Sequence, residues 1–353
     1  MIGMNVFEQD AFSAVNLTAG IDKSGYVPTL LGSIPGLFGP PPMGQPRSKD
    51  IFTEERIDAP ALIQTSPRGA EPSDGREDET TRKVRPFSTT RIARRRRIMS
   101  TEVAGIRAFG MVDLTNTVEL ITARTQRLMQ RDFSLTWEFY RLGVVTQAIM
   151  SDAPAAAETT IYNWATAFGQ SVPGAATWNL PNVNSANNGE VAGYCSTARR
   201  SIIRGLRGLG GDGVTVHALC GDAFYDALRA CAEVRETFKY SDGADLRLQR
   251  SWTQFDYGGV RFYNYRGTDD NSTVAVNVDD AFFFPAGAGI FQEVYAPADE
   301  RIEFIGTPGQ EAYAWIVRDE KRDMWVDVEM YSYPLFMCTM PQALYSATLG
   351  TVG

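Results

Sequence analysis

Along residues 114–149, apolar or small side chains recur at Leu114, Val118, Ile121, Thr125, Leu128, Leu135, Phe139, Leu142 and Ile149. Spacings of three, four and seven put them on one stripe of a helix. No proline interrupts the run, and its only glycine is Gly143. At 1.5 Å per residue the helix would span roughly 54 Å, well beyond the usual length in globular domains. Asp132 and Thr146 fall on stripe positions and spoil a heptad seam. The pattern therefore predicts a helix lying across a sheet rather than a coiled coil.

A different pattern precedes it. Residues 53–64 alternate, with β-prone Ile57 and Ile63, and residues 80–98 form a second extended segment with Val84, Phe87, Ile92 and Ile98. Between them, Pro67, Gly69, Pro72, Ser73, Asp74 and Gly75 supply turn chemistry and few apolar groups. A long two-stranded ribbon is predicted. An isolated hairpin is marginal in water, so it must lie on another surface, that of another subunit being the favoured one. Residues 1–48 are rich in Gly and Pro and end in Pro40, Pro41 and Pro42. They cannot form a core alone and read as an extended arm.

After the long helix, residues 159–168 and 177–180 look like strands. Residues 190–209 look like a helix with Val191, Tyr194, Ala198, Ile202, Ile203 and Leu206 on one face. A buried strand over 214–219 follows, then a helix from Asp222 to about residue 238. Strands are expected at 260–265, 273–278, 281–284, 302–305, 315–317 and 324–331. Helices set within strand-rich sequence imply an α+β fold.

Composition narrows the function. With 353 residues and 44% hydrophobic content, the chain can bury a substantial core. A net charge of −8 argues against a nucleic-acid binder working by bulk attraction. Cys195, Cys220, Cys231 and Cys338 lie far apart without a C-x-x-C pair, so neither zinc nor redox chemistry is expected. No basic segment followed by an apolar run marks a signal peptide. No stretch of 18 apolar residues marks a membrane span.

Candidate catalytic features fare poorly. Gly208, Gly210 and Gly213 match G-x-G-x-x-G, but a helix precedes them and a strand follows. A dinucleotide site needs the reverse order, so a helix cap and tight return is the expected role. His217 is the only histidine and sits inside a strand, as a core or sheet-face residue rather than a base. No nucleophile motif accompanies it. The acidic pairs Asp269–Asp270 and Asp279–Asp280 are ordinary in a chain with 42 acids. No catalytic residue, cofactor or metal is expected.

Arg94, Arg95, Arg96 and Arg97 form the densest basic run. Strand alternation puts Arg94 and Arg96 on one face and Arg95 and Arg97 on the other. Contacts to acids of a neighbouring subunit are favoured over phosphate binding. Arg56, Arg68, Glu77, Asp78 and Glu79 are further candidates for inter-subunit contacts, and Glu54 and Glu55 lie close by in sequence.

An arm, a charged hairpin, a long helix and an α+β body resemble, in that order, the major capsid protein of lambda-type tailed bacteriophages. This is the phage capsid protein E family, with the Hong-Kong-97-type capsid fold. The run from Arg94 to Arg97 followed by Ile98 and Met99 resembles the family's step into its spine helix. Gly221, Asp222, Ala223, Phe224, Tyr225, Asp226, Ala227 and Leu228 resemble the helix after a buried strand in its axial domain. Tyr331, Ser332, Tyr333, Pro334 and Leu335, then Pro341, Gln342, Ala343 and Leu344, resemble its C-terminal signature.

The resemblance implies an N-arm over residues 1–48 and an extended β-hairpin loop over 49–99. A peripheral domain would cover 100–189 with its spine helix at 114–149, an axial domain 190–310, and return strands 311–353. It implies a virion protein assembled in the host bacterial cytoplasm into hexamers and pentamers of an icosahedral head. That head would enclose double-stranded DNA without sequence recognition, and net acidity suits a wall along which DNA slides. A separate scaffolding protein, a portal protein and a decoration protein are implied partners; a membrane is not. The nearest lysines to the loop, Lys49 and Lys83, are not at its tip, so no isopeptide cross-link is expected. The alternatives are a bacterial nanocompartment shell of the same fold and a soluble enzyme.

Overall fold

The computed structural model describes residues 26–42, 44–57, 67–68, 81–99, 114–153, 160–180, 189–209, 211–240, 253–270, 272–319, 321–322 and 324–350. Within them the chain runs through helix α1 (Leu30–Ser33) and strands β1 (Phe38–Gly39), β2 (Asp50–Ile57), β3 (Thr81–Ser88) and β4 (Ile92–Met99). Helix α2 (Leu114–Gln147), β5 (Ile149–Ser151), β6 (Thr160–Asn163), α3 (Trp164–Phe168) and β7 (Ala176–Trp178) follow. Next come α4 (Glu190–Gly205), β8 (Thr215–Cys220), α5 (Asp222–Ala230), α6 (Ala232–Tyr240), β9 (Gln254–Tyr257) and β10 (Val260–Asn264). The last strands are β11 (Asp280–Ala286), β12 (Phe291–Tyr295), β13 (Tyr313–Arg318), β14 (Trp325–Ser332), β15 (Pro334–Cys338) and β16 (Tyr345–Leu349).

Two strand systems share one core. A six-stranded mixed sheet has the order β7-β16-β11-β8-β10-β9. Helix α4 buries Val191, Cys195, Ala198 and Ile202, and α5 buries Phe224, Tyr225 and Leu228. Trp178 is fully buried, stacked on Tyr194 and tilted against Phe224 and Phe283. The second system lies under α2. It comprises β1-β12-β15 and β13-β14-β4, each three strands. Helix α2 packs against β5, β14 and β15, which is the helix-on-sheet arrangement expected.

The fully buried stripe of α2 shares only Thr125 and Leu142 with the one anticipated. It runs through Thr125, Met129, Phe133, Trp137, Tyr140 and Val144, with Glu138, Leu142 and Val145 beside it. Leu128 is 38% exposed, and Leu135 and Phe139 are only half-buried. The reason is size: Phe133, Trp137 and Tyr140 remove more apolar area than the leucines, so they set the rotation. Trp137 meets Tyr295, and Tyr140 meets Phe336. Described side chains of α2 begin at Ile121, so Leu114 and Val118 lie outside them. The helix also stops short of Ile149. Ala148 takes φ +54 and the chain turns back, passing so close that a Cβ on Gly143 would sit 2.6 Å from the Ile149 carbonyl. That close approach is why the helix carries its glycine there.

Other elements differ from expectation for local reasons. Residues 80–98 are two strands, because the Thr89 amide and hydroxyl donate to the Lys49 carbonyl while those of Thr90 donate to that of Pro334. Strand β4 thus leaves the ribbon and pairs with β14. Only β6 forms from the strand expected at 159–168. The Asn163 side chain accepts from the Thr166 amide and starts α3. The helix expected from Asp222 breaks at Cys231, whose ψ of 134° is not helical. Residues 273–278 bury Val274 and Val276 without joining a ladder, and 302–305 make a 3-10 turn, Ile302–Phe304. Exposed Ile302 there shows that an apolar run without a pairing partner need not form a strand.

Candidate assembly surfaces

Strand β4 forms one edge of the β13-β14-β4 sheet. Its register sets Arg97 opposite Asp327, Arg96 opposite Val328, Arg95 opposite Glu329 and Arg94 opposite Met330. Opposed residues share a face, so the alternation expected for the arginines is present. On one face, Arg97 grips Asp327 through two bonds, Nε to Oδ1 at 2.8 Å and Nη2 to Oδ2 at 2.9 Å. Arg95 reaches the same carboxylate at 3.6 Å. The Arg97 guanidinium lies 3.9 Å from the Trp325 ring centroid. On the other face Arg94 pairs with Asp132 of α2 at 3.3 Å, with both groups half-exposed. Arg96 is exposed and has no acidic partner among the described residues.

Arg95 and Arg97 thus have their acid within the chain. Asp327 was not singled out in the sequence. The signal was available, since Asp327 and Glu329 alternate with Val326, Val328 and Met330. The bond from Arg97 and its positive charge hold the Asp327 carboxyl below the usual aspartate range, against the opposing effect of burial. A depressed folded-state pKa stabilises the fold above the unfolded value, about 3.9, and is lost as pH falls through the depressed value. In urea unfolding, the stability difference between wild type and Asp327→Asn should therefore shrink steadily from about pH 5 downward. A difference constant across that range would contradict the pairing.

Strands β2 and β3 form a ribbon with two unlike faces. Ile51 opposite Phe87 and Thr53 opposite Arg85 make the inner one. Ile51 and Phe87 are buried, Phe87 packs on Tyr162, Trp164 and Phe168, and Arg85 donates to the Ala167 carbonyl. The outer face sets Phe52 opposite Pro86 and Glu54 opposite Val84. Phe52 is 66% and Val84 54% exposed. Sequence reading missed this pair, because alternation shows two faces but not which of them is covered. The Arg56 side chain and Glu77, Asp78 and Glu79 lie outside the described residues, and Arg68 is exposed.

The arm is anchored on its own chain. Leu31, Ile34 and Leu37 are buried, and β1 pairs in parallel with β12. Gln45 imitates a strand partner: its Oε1 accepts from the Tyr295 amide, and its Nε2 donates to the Glu293 carbonyl.

His217 is buried between Tyr263 and Phe284 and contacts the Thr215 hydroxyl and the Tyr263 phenol. Burial, aided by Arg261, lowers its pKa to about 4, so it is neutral at pH 7. Arg207 and Gly208 adopt φ +49 and +89 after α4, making the helix cap and return. All four cysteines are buried and free. Among the described residues no cluster could hold a metal ion, and no helix is long and apolar enough to cross a membrane.

A two-faced ribbon, an anchored arm and a long helix across sheets make a body that leaves the apolar outer face of its ribbon in water. Family comparison decides what such a body is. The family described as phage major capsid protein E matches residues 13–349.

The chain belongs to that family.

It is 25% identical over 305 residues to the major capsid protein of Pseudomonas phage KPP10, covering 81% of this chain and 83% of that one. It is 30% identical over 148 residues to the major capsid protein of Salmonella phage Felix O1 (isolate Felix O1-VT1), covering 37% of this chain and 40% of the other. The mature capsid asymmetric unit of bacteriophage PhiM1 superposes with a TM-score of 0.52 at 10% identity, covering 88% of this chain and 84% of that chain. The fold is the α+β capsid fold expected. The role of the chain is structural, as a capsid subunit of the virion, and the nanocompartment and enzyme readings are not favoured. Family membership implies a non-enzymatic role.

Proposed function

We propose that this chain closes into hexamers and pentamers of an icosahedral head enclosing the double-stranded DNA of a tailed phage. Assembly takes place in the host cytoplasm with a separate scaffolding protein, a portal protein and a decoration protein. The observation that carries the self-contact is the outer face of the ribbon. Phe52, Val84 and Pro86 form a contiguous apolar surface on a two-stranded sheet. Such a face is normally covered or charged to prevent association. In a subunit that must bury large interfaces with copies of itself it is a contact.

In this reading residues 1–48 are the N-arm and the ribbon belongs to the extended loop. The extended loop covers residues 49–99, and its last strand, β4, pairs with β14. Helix α2 is the spine of a peripheral domain over residues 100–189, and residues 190–310 supply the axial domain. Strand β12 pairs with β15 under the spine, and β16 with β11 in the six-stranded sheet. Residues 311–353 thus serve both bodies. Arg94 and Arg96 face acids of a neighbour, with Arg56, Arg68, Glu77, Asp78 and Glu79 completing the contacts of the loop.

A Phe52→Glu, Val84→Glu variant should keep the fold, since both side chains already face water. Electron microscopy should show its particle yield lowered at least about tenfold, because each charge would be buried without a partner. Shells of normal yield would remove the ribbon's outer face from the assembly contacts.

A further inference from the structure

Helix α2 carries an acid where a helix on a sheet should be apolar. Glu138 is 0% exposed. Its Oε1 accepts the Leu31 amide of α1 at 2.9 Å and lies 3.4 Å from the Tyr265 phenol, a donor on the strand-rich side. Its Oε2 is buried with no hydrogen-bond partner among the described residues. The nearest cation, Arg141, stands 3.8 Å from Oε2 and is committed elsewhere, donating to Glu293 Oε1 at 2.7 Å. Tyr295 donates its hydroxyl to the same Glu293 oxygen. The Arg141 guanidinium also lies over the rings of Phe38 and Phe336.

The arm closes this cluster. A Cβ on Gly32 would come within 2.9 Å of Arg141, so the turn rests directly on the guanidinium. Two carboxylates thus share one guanidinium, and the one bonded to the arm has the poorer claim on it. Burying an ionised carboxylate without a close partner is unfavourable, and lifting the arm would return it to water.

We propose that Glu138 is a proton-operated latch for the N-terminal arm. Protonated, it lets α1 seat on the long helix; ionised, it favours release of the arm. Burial, the largest influence on its carboxyl, outweighs the Leu31 and Gly32 amides and Arg141 and raises its pKa with the arm seated. The sign follows by linkage: a pKa raised in the seated state makes seating firmest below the ordinary glutamate value, about 4.3. Seating weakens as pH rises through the raised value. One proton limits the effect to at most tenfold in the seating equilibrium per pH unit.

Hydrogen exchange of the full-length protein, corrected for the intrinsic pH dependence of exchange, tests this. Protection of the Leu31 and Gly32 amides should fall as pH is raised from about 4 to 8. Glu138→Gln should flatten that profile at high protection, whereas Glu54→Gln on the exposed ribbon should leave it unchanged. Glu293→Gln provides the second arm, should the first variant fold poorly. It frees Arg141 to pair with ionised Glu138 while the arm is seated, so the fall in protection with rising pH should be smaller than in the wild type. A flat wild-type profile, a Glu138→Gln profile with the wild-type slope, or a fall in Glu293→Gln as large as in the wild type would each overturn the latch.

Discussion

Phe133→Ala should destabilise the folded chain by about 3–5 kcal/mol, the range for emptying a buried aromatic site. Phe133 is almost wholly buried, and its ring packs against Trp137, itself against Tyr295. The cavity would open where the long helix meets the strands beneath it, and a close-packed core relaxes only partly. Leu128→Ala on the same helix should cost far less, because Leu128 keeps more than a third of its surface in water. Urea midpoints of the two variants give the comparison. Equal losses would mean the helix is rotated from the position described.

Charge reversal of Arg94 and Arg96 together should abolish shells while leaving the subunit folded. Arg96 is exposed without an acidic partner, and Arg94 has only half-exposed Asp132. Pairs of that kind contribute little to folding. Facing acids across a subunit contact is different, since a desolvated like-charge encounter costs several kcal/mol. The comparison that decides is Arg94→Glu, Arg96→Glu against Arg97→Glu. Arg97→Glu would place a second acid against buried Asp327 and should damage the fold itself. If the double variant instead forms abundant empty shells and fails only in packaging, the two arginines meet DNA rather than a neighbour.

Several features of this molecule are legible in its sequence alone. The long helix is, because a run without proline and with apolar residues three and four apart has few other solutions. The faces of β4 are too, since alternation in a strand is geometric. So is the structural character of His217 and of the glycines around residue 210, because the order of elements around them denies the chemistry their motifs suggest. The rotation of the helix is not. Two stripes, one of leucines and one of aromatics, run side by side along α2, and choosing between them needs the surface they meet.

What the sequence determined by itself was the long helix, many of the other elements, the α+β class and an order of parts resembling one capsid family. Local propensity and periodicity depend only on near neighbours in the chain, so they survive without a fold. The tertiary structure decided which acid each arginine meets, which face of the ribbon is left in water, and how an acid comes to be buried beneath the arm. Asp327 lies 230 residues from Arg97, and Glu138 lies 107 from Leu31. Such pairings depend on how sheets and helix pack, and packing is a property of the whole chain rather than of any window along it.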